Sequence, residues 1–427
     1  MPEKKLTSMH PADAAAELEE LAREEALKKL RQLDPDEAAE PLEAMDPWDS
    51  SRYVEDLTAE FTAEILANMH PDDSVDILQE LPSSERNKIL RNLDLSIRKT
   101  LQTLLEYSED TAGGMMTPEV LALPEEMTIS RAIEELRNKK EELENLHYTF
   151  ITDDQGTLTG VLPLRELAFR DPSLILREIM NTEVMTIHPG MDREEVARTF
   201  DKYDYVALPV VDDDDHLLGI VTVDDVIDVL RQEDTEDMLG MVGVSEAREE
   251  SIWTPWPTSL KHRLPWLVIN LGTALMAAVV VGFYESTIEA LPVLAVFMPV
   301  IAGQGGNSGS QTIAILVRSI AVGDIRPGQG FGALVKESWL GLVHGLTIAI
   351  IVGIIAFFWK SNLLLAITVG AAMVLSMITA GVAGVAIPLG LQKLGVDPAL
   401  SSTIWMTTIT DLAGFFFLLG LATWLLV

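Results

Sequence analysis

Cysteine is absent from the 427 residues, which excludes disulfides, thiolate metal centres and cysteine nucleophiles and is consistent with a cytosolic soluble part. Basic residues are scarce as well: 31 Lys and Arg stand against 66 Asp and Glu, a formal charge of −35 in a chain that is 48% hydrophobic. No Gly-x-x-x-x-Gly-Lys-Ser/Thr phosphate loop is present, so nothing marks an ATP-driven pump, and no constellation of nucleophile and base marks an enzyme. The N-terminal stretch is rich in Glu, Lys and Ala and lacks the apolar core of a signal peptide, so the first half is expected to stay where it is made.

The charge that is present sits at one end. Seven Lys/Arg and six Asp/Glu occur from Lys261 onward, leaving 24 basic and 60 acidic residues in the first 260 positions. An acidic soluble half followed by a neutral, membrane-embedded half is the expectation. So acidic a surface repels nucleic acid and anionic lipid and attracts divalent cations, unless it is simply a solvated surface without sites.

Two internal repeats organise the soluble half. Met9-His-Pro11, Leu33-Asp-Pro35, Met45-Asp-Pro47, Met69-His-Pro71 and Leu81-Pro82 each precede acidic residues and an apolar periodic stretch, as at starts of short helices. These predict an all-α superhelical stack over 1–112. Between Met116 and Leu230, Met116-Thr-Pro-Glu-Val120 matches Met180-Asn-Thr-Glu-Val184, and Gly160–Leu167 matches Gly219–Val226. Each unit reads strand, helix (129–140; 193–203), two strands about an Asp-rich turn (149–161; 207–221) and a closing helix. Residues 113–230 thus resemble a tandem pair of CBS domains, an α/β arrangement.

Residues 231–264 read as a connector helix reaching the membrane surface, with Trp253, Trp256, Lys261 and Arg263 suited to that interface. Hydrophobic stretches near 265–284, 291–321, 333–359, 362–391 and 398–427 are each long enough to span. Lys261, Arg263, Arg318, Arg326, Lys336 and Lys393 fall on the N-terminal side, whereas Lys360, Glu285 and Glu289 fall opposite. The positive-inside rule then puts the acidic half in the cytoplasm and the C-terminus outside. The whole is expected to be a multidomain chain ending in an α-helical membrane domain, 265–427, with five transmembrane helices.

Asp411 lies deep in the last stretch with no basic residue between Pro398 and Val427. A charge at mid-bilayer costs roughly 2.5–3.5 kcal/mol, so such residues normally face a wet path or a partner. Thr403 and Thr407 precede it at helical spacing and make a stripe of oxygens with it, with Thr408 and Gly414 alongside. Oxygen-only chemistry suits hard cations, and Mg²⁺ keeps its waters; the structural alternative is a buried, protonated acid capped by threonines. The second span carries Pro299 to Gln311, a run of Gly, Asn, Ser and Gln that is expected to interrupt the helix and to line an aqueous cavity, or else to pack closely through small residues. Glu337 and His344 in the third span read as structural.

Taken with the tandem CBS units and the superhelical N-domain, the 299–311 run and Thr410-Asp-Leu-Ala-Gly414 resemble the MgtE family of bacterial magnesium channels and transporters. The resemblance implies a homodimer in the bacterial inner membrane, with one pore between two five-helix membrane domains. It places hydrated Mg²⁺ at Asp411, with Thr403 and Thr407 on the same stripe and Gly303, Gly306 and Asn307 matching the second-helix pore motif. The alternatives are a broader divalent-cation (Co²⁺ or Mn²⁺) transporter and a non-conducting metal sensor.

Acids crowd the expected module boundaries. The resemblance points to Asp72, Asp76, Asp192, Glu194, Asp204, Asp225, Asp228, Glu236, Asp237 and Asp397 as regulatory Mg²⁺ ligands, and Glu233 begins the same connector. Like charges repel until a divalent cation bridges them, so high cytosolic Mg²⁺ is expected to draw N-domain, CBS units and connector together and close the pore. CBS pairs also bind ATP or other adenosine nucleotides through a Thr/Ser-x-x-Asp ending. Thr222-Val-Asp-Asp225 fits; Pro163-Leu-Arg165-Glu166 lacks the hydroxyl. Tyr148, Arg165, Glu166 and Tyr205 are the nucleotide-contacting candidates.

Overall fold

Eight helices begin at twelve-residue intervals along the N-terminal part: α1 (Pro11–Glu20), α2 (Arg23–Leu30), α3 (Pro35–Glu43), α4 (Pro47–Glu55), α5 (Ala59–Leu66), α6 (Pro71–Glu80), α7 (Ser83–Asn92) and α8 (Leu95–Leu104). The computed structural model describes residues 6–138, 147–245, 250, 252, 254–325 and 329–427; the expected helix end at Lys140 and the basic Arg326 fall outside the described residues. Pro occupies the first turn of α1, α3, α4 and α6, where its missing N–H costs nothing. Asp34 and Glu37 form a reciprocal capping box, and Thr58 accepts from Phe61 N–H at 3.3 Å, so the α5 start needs no proline.

The same twelve-residue interval builds the core. Leu18, Leu30, Leu42, Val54, Leu66, Leu78 and Leu90 are all buried, each worth roughly 1.5–3 kcal/mol of apolar transfer. Buried hydroxyls repeat in step: Ser50, Thr62 and Ser74 donate to the carbonyls of Leu42, Val54 and Leu66 at 2.6, 3.2 and 2.9 Å. Each helix therefore packs on its second neighbour, as α4 on α6 and α5 on α7, and the stack winds as a superhelix.

A short helix α9 (Ala112–Met115) leads into the two CBS-like units. The first comprises β1 (Ala122–Pro124), α10 (Ile129–Asn138), β2 (Tyr148–Thr152), β3 (Leu158–Pro163) and α11 (Leu164–Phe169); the second comprises α12 (Arg193–Tyr203), β4 (Ala207–Val211), β5 (Leu217–Thr222) and α13 (Val223–Met241). β1 runs parallel to β2, while β2–β3 and β4–β5 are antiparallel. The units exchange their leading segments: Thr117 pairs with Ile220 of the second unit, and Asn181 pairs with Val161 of the first. The equivalent turns are fixed alike, Asp153 Oδ1 accepting from the Gln155 and Thr157 amides and Asp212 Oδ1 from those of Asp214 and His216.

One asymmetry decides where the acids go. The first unit has a core of its own, with Ile129, Ile151 and Leu162, whereas Val196, Phe200, Leu208 and Val221 of the second join the core of the helical stack. Buried Arg193 ties the two, its N–H donating to Asp110 O at 3.0 Å and its guanidinium standing 3.5 Å from the Asp110 carboxylate.

The chain divides into two compact units, Met1–Arg231 and Gln232–Val427, and the division falls within α13. The second unit holds α14 (Trp256–Phe283), the short α15 (Glu285–Ala290), α16 (Leu294–Ala321), α17 (Gly330–Lys360), α18 (Leu363–Lys393) and α19 (Ser402–Leu425). Among the described residues α14, α17, α18 and α19 are long and apolar enough to cross a membrane; α16 matches them in length but carries the polar run. α18 is the central helix, packed on α16, α17 and α19. The interruption expected at 299–311 does not occur, because α16 is continuous with Pro299 inside it. Intrahelical bonds satisfy the glycine amides, and the run divides by face: Gly305, Gly306, Gly309 and Thr312 are buried while Gly303, Gln304, Asn307 and Gln311 are exposed. No break is then needed to accommodate polar residues.

Candidate metal centres

In the second unit, small residues let α16 and α19 run side by side. A Cβ on Gly414 would stand 3.5 Å from Ala302, one on Gly306 would stand 3.6 Å from Thr410 Oγ1 and 3.9 Å from Thr407 Cγ2, and one on Gly309 would overlap Met406. This antiparallel register sets Asp411 level with the Gly303–Asn307 turn. Asp411 is half-buried and Thr407 exposed, while Thr408 and Thr410 are buried away from that face. Among the described residues Asp411 makes no hydrogen bond or ion pair.

The threonine hydroxyls spend their protons on backbone carbonyls. Thr407 donates to Thr403 O at 2.5 Å and Thr408 to Ile404 O at 2.8 Å, which leaves oxygen lone pairs facing outward on Thr407. Such acceptors, with a carboxylate and amide carbonyls, suit the hydrogens of a hydrated cation's water shell. Thr403 differs from the rest of the stripe: it is half-buried and donates to Met241 O at the end of α13. Ser401 N–H donates to Gly240 O at 2.8 Å beside it, so the start of α19 is fastened to the connector by two hydrogen bonds.

Asp397, just before α19, accepts from Ala399 N–H at 2.8 Å. Burial pushes its carboxyl above the usual range and the nearby Glu236 carboxylate adds to the rise, against the lowering effect of the Ala399 bond. Two of the expected regulatory acids are thus brought together. Glu233 and Asp237 lie half-buried on the same stretch of α13.

In the first unit, Asp72, Asp73 and Asp76 on α6 meet Asp225 at the start of α13, a consequence of the shared core. Desolvation lifts all four carboxyls: Asp72 to about 6, Asp225 to about 8, Asp73 to about 10 and Asp76 well above its usual value. Repulsion within the cluster adds to the rise at Asp73, Asp76 and Asp225, and Thr222, donating to Asp225 Oδ2 at 2.8 Å, opposes it there. Asp72 Oδ1 is buried without a hydrogen-bond partner among the described residues. Among the described residues no three acids or imidazoles converge tightly enough to ligate a bare ion, so the cluster suits a cation held through its waters.

A cavity of about 400 Å³ opens over Asp72, Asp73 and Asp225 and is lined also by Tyr148, Thr222 and Asp224. Asp228 borders it too. The other nucleotide candidates are elsewhere: Arg165 and Glu166 are on α11, where Glu166 pairs with Arg170 at 3.1 Å, and Tyr205 packs on Tyr203 at 5.8 Å. Asp192, Glu194 and Asp204 are also apart from the cluster. Asp192 caps α12 by accepting from Glu194 N–H at 2.9 Å, Glu194 pairs with Arg198, and Asp204 ends the helix in the left-handed conformation. Sequence reasoning missed Glu43, His70 and Glu119. His70 N–H donates to Glu43 Oε1 at 2.8 Å and its ring lies 3.1 Å from Glu119, and no spacing in the sequence connects these positions.

Comparisons with known proteins agree along the chain. Residues 9–110 match the MgtE intracellular N domain, 112–171 and 176–232 match CBS domains, and 298–421 match the MgtE divalent cation transporter family. The magnesium transporter MgtE of Thermus thermophilus is 39% identical over 342 residues, covering 78% of this chain and 74% of that protein; its Enterococcus faecalis counterpart is 39% identical over 73% and 68%. A structure of the cytosolic domain of the Mg²⁺ channel MgtE in complex with ATP is similar at a TM-score of 0.50 and 38% identity, over 52% of this chain and 92% of that one.

Proposed function

The chain belongs to the MgtE family of magnesium transporters, and from that premise we propose that it is a homodimeric Mg²⁺ channel closed by cytosolic Mg²⁺. It conducts an ion and performs no enzymatic reaction. The observation that carries this reading is Asp411, an acid without a partner among the described residues, in a membrane-spanning helix and level with the exposed Gln304 and Asn307 of α16. A second copy of this face closes the groove into a water-filled path. Carboxylate, amide and hydroxyl oxygens accept hydrogen bonds from the ion's waters, so Mg²⁺ passes without losing its whole shell. Oxygen donors alone do not separate Mg²⁺ from Mn²⁺ or Co²⁺, and selectivity rests on groove width.

Closure follows from the acids. A divalent cation held through its waters by Asp72, Asp73, Asp76 and Asp225 removes the repulsion between α6 and α13, and Asp397 with Glu236 forms a second such pair. α13 carries Asp225 near its start and Gly240 and Met241 at its end, where they are bonded to α19; bias on α13 therefore reaches the helix that bears Asp411. The cavity with Tyr148, Thr222 and Asp225 suits an adenosine nucleotide stacked on the tyrosine, and binding there modulates closure. The N-terminal unit is cytoplasmic and the C-terminus faces outside, in a bacterial inner membrane.

Single-channel recording of the purified chain tests the gating directly. Openings become rarer as Mg²⁺ is raised on the cytosolic side; undiminished openings at saturating Mg²⁺ would remove the gating proposal.

A further inference from the structure

Conduction through the α16–α19 groove does not use one buried acid of the second unit. Glu337, in the second turn of α17, is 8% exposed. Its Oε2 accepts from Thr312 Oγ1 of α16 at 3.2 Å, and its Oε1 lies 3.5 Å from the ammonium of Lys336. α18 is shaped around this bond. A Cβ on Gly381 would collide with the Glu337 carbonyl, and one on Gly384 would stand 2.7 Å from Thr312 Cβ, so both glycines are required for three helices to meet there.

Thr312 sits on the back of α16. At 100° per residue it is about 140° around the helix from Asn307, on the side away from the polar face, and Gly309, one turn earlier, abuts Met406 of α19. A hydrogen bond at Thr312 therefore fixes the rotation of α16 without touching the ion path. The Thr312 hydroxyl also lies 3.3 Å from the Ser308 carbonyl one turn back in α16, so the contact with Glu337 is the one of the two that crosses between helices and can set their relative rotation.

We propose that Glu337 is a positioning residue for conduction: through the Thr312 hydroxyl it sets the rotation of α16, and so the aim of Asn307 and Gln311 into the groove. The inference rests on the α16–α19 groove being the ion path. Glu337 acts as a hydrogen-bond acceptor, a role that a glutamine carbonyl fills equally well, and it is not a ligand for the passing cation.

The absence of cysteine makes a labelling test clean. Full-length chain in vesicles is compared as parent, Glu337→Gln, Glu337→Ala, Thr312→Val and the Glu337→Ala/Thr312→Val double variant. Mg²⁺ uptake and the rate at which an Asn307→Cys reporter reacts with a methanethiosulfonate are both measured. Glu337→Gln retains parental uptake and labelling. Glu337→Ala and Thr312→Val each lower maximal uptake roughly tenfold, because displacing a positioned group by about 1 Å is costly, and each changes the labelling rate; the double variant is no worse than the worse single one. Glu337→Gln losing uptake with unchanged labelling would overturn the proposal by making the charge itself part of the path. Thr312→Val with parental uptake and labelling would overturn it too, and needs no buried acid to be removed. The predicted labelling changes in the variants, together with no Mg²⁺ uptake by the unmodified chain, would instead strike the ion-path reading.

Discussion

Replacing Asp225 by Asn is expected to stabilise the protein when divalent cations are absent, the reverse of the usual effect of altering a partly buried polar residue. Asp225 is lifted from 3.8 to about 8 by desolvation first and by Asp72 next. That rise corresponds to a ceiling of roughly 6 kcal/mol, but it is shared with Asp72, Asp73 and Asp76, so a gain on the order of 2 kcal/mol is expected for the neutral amide. The Asn carbonyl still accepts from Thr222, so no hydrogen bond is sacrificed. For a unit of this size that gain raises the melting temperature by about 4–8 °C. The pH dependence has a definite sign: a carboxyl with a raised pKa keeps its proton in the folded state after the unfolded chain has released it, so stability falls as pH climbs from about 4 toward 8. Saturating Mg²⁺ offsets the fall in the parent, by roughly 2.7 kcal/mol at a hundredfold excess over Kd, and does less for Asp225→Asn. Circular dichroism melts of the full chain at pH 5 and pH 8, in chelator and in Mg²⁺, read all four quantities. The reasoning is refuted if the variant melts at or below the parent at pH 8 in chelator, or if the parent becomes more stable as pH rises without divalent cations.

Other consequences are more local. Leu78→Ala removes a fully buried rung of the superhelix and should cost about 2–5 kcal/mol, seen as a lower urea midpoint; an effect below about 1 kcal/mol would mean the ladder is loosely packed. Thr403→Val deletes the donor to Met241 O and should leave residual single-channel openings at saturating cytosolic Mg²⁺, whereas parental closure would show the connector bond to be idle. Asp397→Asn relieves the like-charge contact with Glu236, so closure should respond less steeply to Mg²⁺; an unchanged dose response would exclude that pair as a sensor.

The helix starts at Pro11, Pro35, Pro47 and Pro71 were legible because proline and acid advertise a first turn. Starts at Arg23 and Ala59 carry no proline, yet the twelve-residue ladder from Leu18 to Leu90 marks them, a periodicity longer than one helix and invisible to a search for 3.6-residue spacing. The CBS-like repeat was readable from Gly160 and Gly219, but the exchange of Thr117 and Asn181 between units is a pairing that no local pattern encodes. At α16 a composition of Gly, Asn and Ser suggested a broken helix, whereas the physical solution was to sort those residues by face. Asp72, Asp76 and Asp225 were identifiable as acids and not as neighbours: what joins them is Phe200 and Val221 entering the superhelix core, a tertiary event. Thr403 belonged to the oxygen stripe by spacing, and only the position of the Met241 carbonyl reveals its other engagement.

Uptake of Mg²⁺ into vesicles reconstituted with the purified chain, compared between parent and Asp411→Ala, bears most directly on the claim that an unpartnered acid in α19 draws the ion through the membrane. The parent should load the vesicles with Mg²⁺ under an inward gradient, and the variant, eluting from size exclusion like the parent, should not. Parental uptake by folded Asp411→Ala protein would contradict the account.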